Sequence, residues 1–396
     1  MLPINISTIK ISDFQNLIIK EIPERKTIEY KQQLKIVPDQ ETKEFLADVS
    51  SFANDIGGDL IYGITEDNGL PKAIVGIEII NPDALKRQLD SIIRDGLEPR
   101  ISGIQIETFH LTSLQYILLI RIPKSYTLHQ IVFKGSDKFY SRGVAGKYKL
   151  DVHEIKSRFL TSQTIEEKLK AFKDERISKI ASGKTPVSLL DNAKIVLHLI
   201  PLSGVASNKK YDISSNTISS NYLFPLGSRG FDHRYNMDGL LADSIAHESD
   251  NTKSKAYLQL FRNGIIETIN ADTLAPYDGQ LFLPSLKGLD FEQQIIQSFK
   301  DGIALYKSIS LETPIYAFLT FLGIKGYVLQ SSRIEWRLRP APQIDVDILS
   351  FSELIIQDYS FNAEDQLKPV FDMIWNACGV ERSRNYDGSG KWIGPK

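Results

Sequence analysis

The segment that most constrains the fold covers residues 52–64. It combines the end of an apolar helical pattern, a Gly57-Gly58 pair and a strand in which Leu60 and Tyr62 alternate. Glycine supplies the backbone freedom that a helix end needs. Ile61 is apolar on the opposite face of the strand, which indicates burial on both sides. We therefore expect a helix that stops abruptly and leads into a central strand.

The rest of the N-terminal part alternates between helical and extended patterns. Residues 1–20 predict a short helix, and 40–56 predict a longer one with an apolar stripe. Period-two patterns predict strands, and a segment between Pro82 and Gly96 predicts another helix. The predicted strands cover residues 27–31, 60–64, 101–109, 115–122 and 139–143, and the predicted helices cover 1–20, 40–56, 83–95 and 151–159. The fold class is α+β, with an N-terminal mixed-sheet lobe flanked by helices.

A second α+β domain is predicted after an exposed helical linker. The apolar run 195–200 predicts a strand, Asn263-Gly264 a hairpin, and Asp290 the cap of a helix over 290–306. Residues 203–255 contain few apolar runs and predict long loops. The expected domains are an N-terminal helix at 1–20, an N-terminal domain at 21–162, a helical linker at 163–189, a C-terminal domain of open role at 190–380, and a flexible tail at 381–396.

Composition excludes several classes of protein. Among 396 residues the only cysteine is Cys378, which excludes an internal disulfide framework and a cysteine-rich zinc site. The net charge of −2 gives no overall bias toward nucleic acid, so any such contact must come from local patches. We find no apolar run of about 18 residues and no secretion signal. We expect a cytoplasmic protein without a membrane span.

Carboxylates near the N-terminus form the first candidate site. Glu24 and Glu29 are five residues apart and would face opposite sides of a regular strand, unless the chain bends near Arg25-Lys26. With Asp67 they would offer three oxygen ligands, which suit Mg²⁺ or Mn²⁺. Lys31 could then meet a phosphate. The alternative is that these acids are simply solvated at strand ends.

Basic residues form the second candidate site. The stretch 134–158 contains seven lysines and arginines against three acids, and Tyr140 and Tyr148 are interleaved with them. Cations neutralise phosphates and aromatic faces stack bases, so a nucleic-acid contact is one interpretation. The alternative is an ordinary solvated face. The histidines are weaker candidates for a metal site. His233 and His247 lie in a loop-rich stretch and are more typical of loop residues than of metal ligands. His198 lies in an apolar strand, which is typical of a core residue.

Four motifs occur together in order and resemble a known domain. They are Glu24-x4-Glu29-Tyr30-Lys31, Phe52-Ala53-Asn54-x2-Gly57-Gly58-x-Leu60-Ile61-x-Gly63-Ile64, Val75-Gly76-Ile77 and Phe139-Tyr140-x-Arg142-Gly143. Over roughly residues 20–160 the chain resembles the Schlafen AlbA-like domain.

The resemblance implies a function and a set of residues. Family members bind nucleic acid, and animal Schlafens of the active type cleave tRNA and rRNA with a carboxylate triad and Mg²⁺ or Mn²⁺. By position the triad falls on Glu24, Glu29 and Asp67, with Glu66 as an alternative third member. The implied nucleic-acid-binding residues are Lys31, Lys138, Tyr140, Arg142, Lys147 and Lys149. Bacterial chains with this domain are often described as transcriptional regulators or phage-defence proteins.

Two functions therefore remain open at the level of sequence. The first is a metal-dependent endoribonuclease that acts on structured RNA such as tRNA, in phage defence. The second is a non-catalytic nucleic-acid-binding regulator with the same fold. An ATPase is a third reading, but the chain has no Walker loop. Because only one lobe of the two-lobed animal core is present, we expect a homodimer.

Overall fold

The computed structural model describes most of the chain in two compact units, residues 1–166 and 167–396. The described residues are 2–3, 6–143, 146–206, 210–214, 218–245, 253–284, 290–330, 341–357, 359 and 362–394. His247 lies outside them. No helix in the described ranges is long and apolar enough to cross a membrane.

Unit 1 contains a sheet, several short ladders and four helices, the last of which continues beyond residue 166. The helices are α1 (Ile11–Ile19), α2 (Asp39–Ala53), α3 (Pro82–Gly96) and α4 (Val152–Ala181). The strands are β1 (Ile28–Lys31), β2 (Gly58–Tyr62), β3 (Ile64–Asp67), β4 (Leu70–Ile74), β5 (Ile77–Glu78), β6 (Leu97–Glu98), β7 (Gln105–Thr112), β8 (Gln115–Ile122), β9 (Gln130–Ile131), β10 (Tyr140–Gly143) and β11 (Gly146–Lys149).

The main sheet of unit 1 is mixed, as the sequence predicts. Its order is β1-β2-β8-β5, with β7 also paired to β8. β1 runs parallel to β2, and Glu29 is in register with Leu60. The other pairings are antiparallel. Three smaller antiparallel ladders join β3 to β4, β6 to β9 and β10 to β11.

Both faces of this sheet are buried, which confirms the prediction made from Ile61. Leu60 and Tyr62 pack in a cluster with residues of α2 and α3, including Phe45. Ile61 packs on the opposite face in a cluster that contains Phe14 of α1. Alternation along the strand therefore fills two apolar layers, with α2 and α3 on one side and α1 on the other.

Gly57 allows the chain to pass from α2 into β2. Its φ is +75°, and a Cβ atom there would lie 2.6 Å from the backbone nitrogen of Lys124. At Gly58 a Cβ atom would lie 2.5 Å from the carbonyl oxygen of Thr27. Both positions require glycine because backbone atoms fill the space that a Cβ atom would occupy, and backbone cannot move aside as a flexible side chain can.

The predicted helix at 151–159 and the predicted linker helix are one continuous element, α4. No glycine or proline interrupts residues 152–181, so the backbone has no local reason to break there.

Unit 2 is built on an eight-stranded sheet with two long helices. The helices are α5 (Leu202–Ala206), α6 (Phe291–Ser308) and α7 (Ala363–Ala377). The strands are β12 (Lys194–Pro201), β13 (Asp232–Tyr235), β14 (Gly239–Ile245), β15 (Ser254–Phe261), β16 (Ile266–Asn270), β17 (Phe282–Leu283), β18 (Ile315–Leu322), β19 (Val328–Leu329), β20 (Ile348–Ser350) and β21 (Leu354–Ile356). The α+β class is therefore confirmed for both units.

The sheet of unit 2 is antiparallel, in the order β13-β14-β15-β16-β12-β18-β20, with β21 also paired to β18. The hairpin predicted at Asn263-Gly264 joins β15 to β16. Asp290 accepts a hydrogen bond from the backbone of Gln293 and caps α6, as predicted. The prediction of long loops over 203–255 is wrong for β13 and β14. The apolar core of β14 is short and flanked by polar residues, and β13 is polar and exposed, so neither stands out in the sequence.

The described part of the predicted tail packs into unit 2. Ser383 and Asn385 are buried and donate hydrogen bonds of 2.9 Å to Oε2 of Glu292. Trp375 donates its indole N–H to Oε1 of the same carboxyl, 2.5 Å away. Burial, reinforced by the neighbouring charge of Asp290, raises the pKa of Glu292 to about 8. The polar residues that made this segment resemble a free tail are instead partners of a buried acid.

We expect Gly57→Ala to destabilise unit 1 more than Gly135→Ala. Both glycines have a similar φ, +75° and +73°, so both substitutions carry the strain of a left-handed backbone. Around Gly135 nothing lies within 4 Å of the added atom, whereas at Gly57 it meets backbone. The difference should be about 1–3 kcal/mol in free energy of unfolding. Hydrogen exchange of peptides that cover β2 would measure it, and equal effects would contradict the steric argument.

Candidate carboxylate and cation site

A tight turn before β1 places Glu24 beside the strand that carries Glu29. The backbone N–H of Arg25 donates to the carbonyl of Ile28 at 3.0 Å, and Ile28 returns a bond at 3.2 Å. A turn thus lies at Arg25-Lys26, the place where a bend would allow Glu24 and Glu29 to face one site. As a result Oε1 of Glu24 accepts a 2.8 Å hydrogen bond from the backbone of Tyr30.

The turn between β3 and β4 brings a third acid close to Glu24. The backbone N–H of Glu24 donates to the carbonyl of Gly69 at 2.7 Å, and Gly69 donates to Oε2 of Glu66 at 2.6 Å. Burial raises the pKa of Glu24, and the charges of Glu29 and Glu66 raise it further. Asp67 is exposed and accepts a bond from the side chain of Asn68 at 3.1 Å. Of the two candidates for the third acid, Glu66 is therefore the one whose charge raises the pKa of Glu24.

Both carboxylate oxygens of Glu29 are held by cations. Oε1 lies 2.5 Å from Nζ of Lys31, and Oε2 lies 2.6 Å from a guanidinium nitrogen of Arg142. Burial alone would raise the pKa of Glu29, but Arg142 and Lys31 hold it below its ordinary value. Glu29 is therefore a charged and fully paired carboxylate.

Asp48 of α2 is a member of this site that the sequence analysis did not identify. It is buried, and its two oxygens lie 2.7 Å from Nζ of Lys147 and 3.7 Å from Nζ of Lys31. Burial and the nearby charge of Glu29 raise the pKa of Asp48 above its ordinary value. Lys31 therefore lies between two acids, Glu29 and Asp48.

A local signal for Asp48 was present in the sequence. Asp48 is three residues after Phe45 and four before Phe52, so all three lie on one face of α2. Phe45 and Phe52 are buried on that face. An acid within an apolar stripe needs a partner, and this rule would have selected it.

The antiparallel ladder of β10 and β11 places four predicted residues on one face. Tyr140 pairs with Lys149, and Arg142 pairs with Lys147, so alternation turns all four side chains the same way. Arg142 is only 4% exposed, and its guanidinium lies 3.9 Å from the ring centre of Phe52. Arg142 and Lys147, on the inner half of this face, therefore pair with carboxylates of the chain.

The outer part of the basic stretch is open to solvent. The side chains of Lys138 and Lys149 are exposed, and neither ammonium group has a partner among the described residues. Tyr140 is half-buried, and its carbonyl accepts a bond from the side chain of Asn54 at 2.9 Å. The predicted nucleic-acid-binding residues thus divide into a paired inner set and an exposed outer set.

The arrangement does not fit a divalent metal as it stands. The described residues contain no group of three or more histidine, cysteine, aspartate or glutamate side chains able to hold one. Oxygen ligands of the right chemistry exist at Glu24 and Glu66, but Glu29 offers no free oxygen. A metal ligand must present a lone pair that is not already bound to a cation. In the described structure Glu29 and Asp48 are thus paired with cations of the chain itself, whereas Glu24 and Glu66 are not.

Comparison with known proteins gives one informative match. No curated protein matches the chain. Among solved structures, the DIP2311 protein from Corynebacterium diphtheriae is 17% identical, covers 36% of this chain and 30% of its own, and has a TM-score of 0.25. The N-terminal domain of a Nitrosomonas europaea protein named as related to the ATP-dependent DNA helicase RecG is 21% identical, covers 35% and 80%, and has a TM-score of 0.21. The chain spans less than a third of the first of these proteins, and neither TM-score carries an argument.

The family comparison covers the part of the chain that holds the carboxylate and cation site. Residues 24–151 match the model of the family Schlafen, AlbA_2. They include β1, α2, β2 and the β10–β11 ladder, and they confirm the resemblance found from the four motifs. This match supports a nucleic-acid-related role for the N-terminal unit. Residues 24–151 accordingly form a Schlafen AlbA_2 domain.

Proposed function

We propose that the N-terminal unit binds nucleic acid, with structured RNA as the favoured ligand. The observation that carries the proposal is the pair Lys138 and Lys149, which are exposed and have no partner among the described residues, close to Tyr140 in sequence and across the β10–β11 ladder. Phosphates attract ammonium groups, and an aromatic ring can stack an unpaired base. The whole chain carries a net charge of −2, so attraction to RNA has to come from a local patch such as this one.

The double substitution Lys138→Glu/Lys149→Glu is expected to weaken binding of labelled tRNA by about tenfold or more. The slope of log affinity against log salt should also fall by about two, because two phosphate contacts are lost. Fluorescence anisotropy with the full chain, in EDTA, measures both quantities.

A matched control makes the same change of net charge elsewhere in unit 1. Lys72 and Arg87 are exposed, so Lys72→Glu/Arg87→Glu alters the overall charge equally without touching the β10–β11 ladder. If the two double variants lose affinity to the same extent, the binding surface does not lie at Lys138 and Lys149.

A second candidate function is endoribonuclease activity that depends on Mg²⁺ or Mn²⁺. It is favoured by the repulsion that the charges of Glu29 and Glu66 exert on Glu24, because a simple binder gains nothing from crowded acids beside phosphate. The paired state of Glu29 means that such activity requires a rearrangement at this residue. As the family resemblance implies, the substrate would be of the tRNA class and the setting would be phage defence.

The nuclease candidate predicts that purified protein cleaves total tRNA only with divalent metal, and that Glu29→Gln abolishes cleavage while RNA affinity is retained. Glu24→Gln should behave alike. Comparing Glu66→Gln with Asp67→Asn identifies the third acid, and we expect the larger loss at Glu66. RNA that is bound but never cut under any metal condition would leave the domain as a binding module.

We also propose a homodimer, which would supply a second lobe around a bound RNA. Gel filtration with light scattering, at several concentrations and with and without tRNA, should show a mass near twice that of the chain. A monomer under all of these conditions would contradict the proposal.

A further inference from the structure

We propose that β13 of unit 2 is a dimerisation edge, on which a second copy of this chain adds its own β13. The two strands pair antiparallel about a two-fold axis at His233, so that the sheets of the two copies continue into one another. The inference rests on the homodimer proposed above, to which it assigns an interface.

The strand β13 lies at the end of its sheet and is open to solvent. It is the first strand in the order β13-β14-β15-β16-β12-β18-β20, and no described strand pairs with its outer edge. All four of its residues are exposed. An open strand edge presents backbone N–H and C=O groups that can pair with a strand of another molecule.

The hydrogen bonds of the β13–β14 turn show which residues offer these groups. The backbone N–H of Asn236 donates to the carbonyl of Gly239 at 2.9 Å, so the backbone of Asn236 faces β14. The direction of the backbone groups alternates along an antiparallel strand, and the β13–β14 ladder has no register shift. The backbone groups of Phe231, His233 and Tyr235 therefore point to the open edge.

The charges of β13 select one register for a two-fold pairing. Asp232 and Arg234 are two residues apart and lie on the same face of the strand. An axis at residue 232 would place Asp232 opposite its own copy, and an axis at residue 234 would do the same for Arg234. An axis at residue 231 or 235 would bring neither opposite a residue of opposite charge. An axis at His233 alone places Asp232 of each copy opposite Arg234 of the other, which gives two attractive pairs.

The environment of Asp232 within its own chain favours such a partner. Asp232 is in register with another acid, Asp243, and has no ion-pair partner among the described residues. The guanidinium of Arg234 lies 2.7 Å from Asp243, and its side chain remains 54% exposed. A second copy would therefore bring to Asp232 a cation that its own sheet does not supply.

The opposite face of β13 is complementary to its own copy as well. With the axis at His233, Phe231 of each copy lies opposite Tyr235 of the other, whose side chain is 51% exposed in the single chain. Phe231 already contacts Phe224, with ring centres 4.8 Å apart. Aromatic side chains on opposite strands stabilise a sheet, so the pairing would extend this aromatic group across the axis.

The length of β13 sets the strength of the expected dimer. A strand of four residues buries less surface than the interface of a permanent dimer. We therefore expect a reversible dimer with a Kd in about the micromolar range. Sedimentation velocity of the full chain over a concentration series measures this Kd.

The first test is Asp232→Arg, which makes both charge pairs across the axis repulsive. We expect the Kd of the dimer to rise about tenfold or more. The fold of the single chain should be retained, because the new cation faces Asp243. As a matched control, Asp345→Arg makes the same change of charge at an exposed residue shortly before β20 and should leave the Kd unchanged.

The second test addresses the backbone of the same edge. His233→Pro removes an N–H that faces outward, and an edge strand tolerates proline on that side. We expect this variant to lose the dimer while its thermal unfolding remains cooperative.

The third test restores the charge pairs between two different variants. Arg234→Glu alone should also weaken the dimer, because its strand then carries only acids. An equimolar mixture of folded Asp232→Arg and Arg234→Glu chains should form a heterodimer, since every pair across the axis is again of opposite charge.

The outcomes distinguish this interface from the proposals on which it rests. A wild-type dimer whose Kd is unchanged by Asp232→Arg and by His233→Pro would overturn the interface and leave the homodimer standing. A wild type that is monomeric at every concentration would overturn both. Fluorescence anisotropy with labelled tRNA reports separately on nucleic-acid binding by unit 1, which neither result decides.

Discussion

The buried ion pair between Glu29 and Arg142 is the interaction on which the site in unit 1 depends. It joins the edge strand of the main sheet to a separate two-stranded ladder, over a distance of 2.6 Å. Neither charge could remain in this environment alone. Arg142 in turn packs on Phe52, which belongs to the helix that Gly57 ends. One contact therefore ties together the sheet, α2 and the ladder that carries the exposed lysines.

Much of unit 1 could be predicted because its signals are local. The helix stop at Gly57-Gly58, the alternation of Leu60 and Tyr62, and the bend after Glu24 all depend on residues close in sequence. The strand β14 was missed because its pairing with β15 is set by residues that lie beyond a polar stretch. A strand of this kind is recognisable only once its neighbour is known.

The sequence could predict most of the residues of the site, but not which of them form ion pairs with one another. From the sequence, Lys31, Arg142 and Lys147 are counted among the cations available to phosphate. The sequence shows that these side chains are charged, but it does not show that carboxylates of the same chain already neutralise them. The partner of Asp48 is Lys147, nearly a hundred positions later, so no local pattern joins them. Exposure separates these residues from Lys138 and Lys149, and exposure is a property of the folded chain.

The hydrogen bonds to Glu292 have a consequence for the order in which the two units can form during synthesis. The site in unit 1 is complete once Lys147 has been added to the chain. Glu292 of unit 2 lacks part of its set of donors, Trp375, Ser383 and Asn385, until Asn385 has been added. Such an acid is costly inside an apolar core. The residues of the carboxylate and cation site are therefore all synthesised more than two hundred residues before Asn385 completes the set of donors to Glu292.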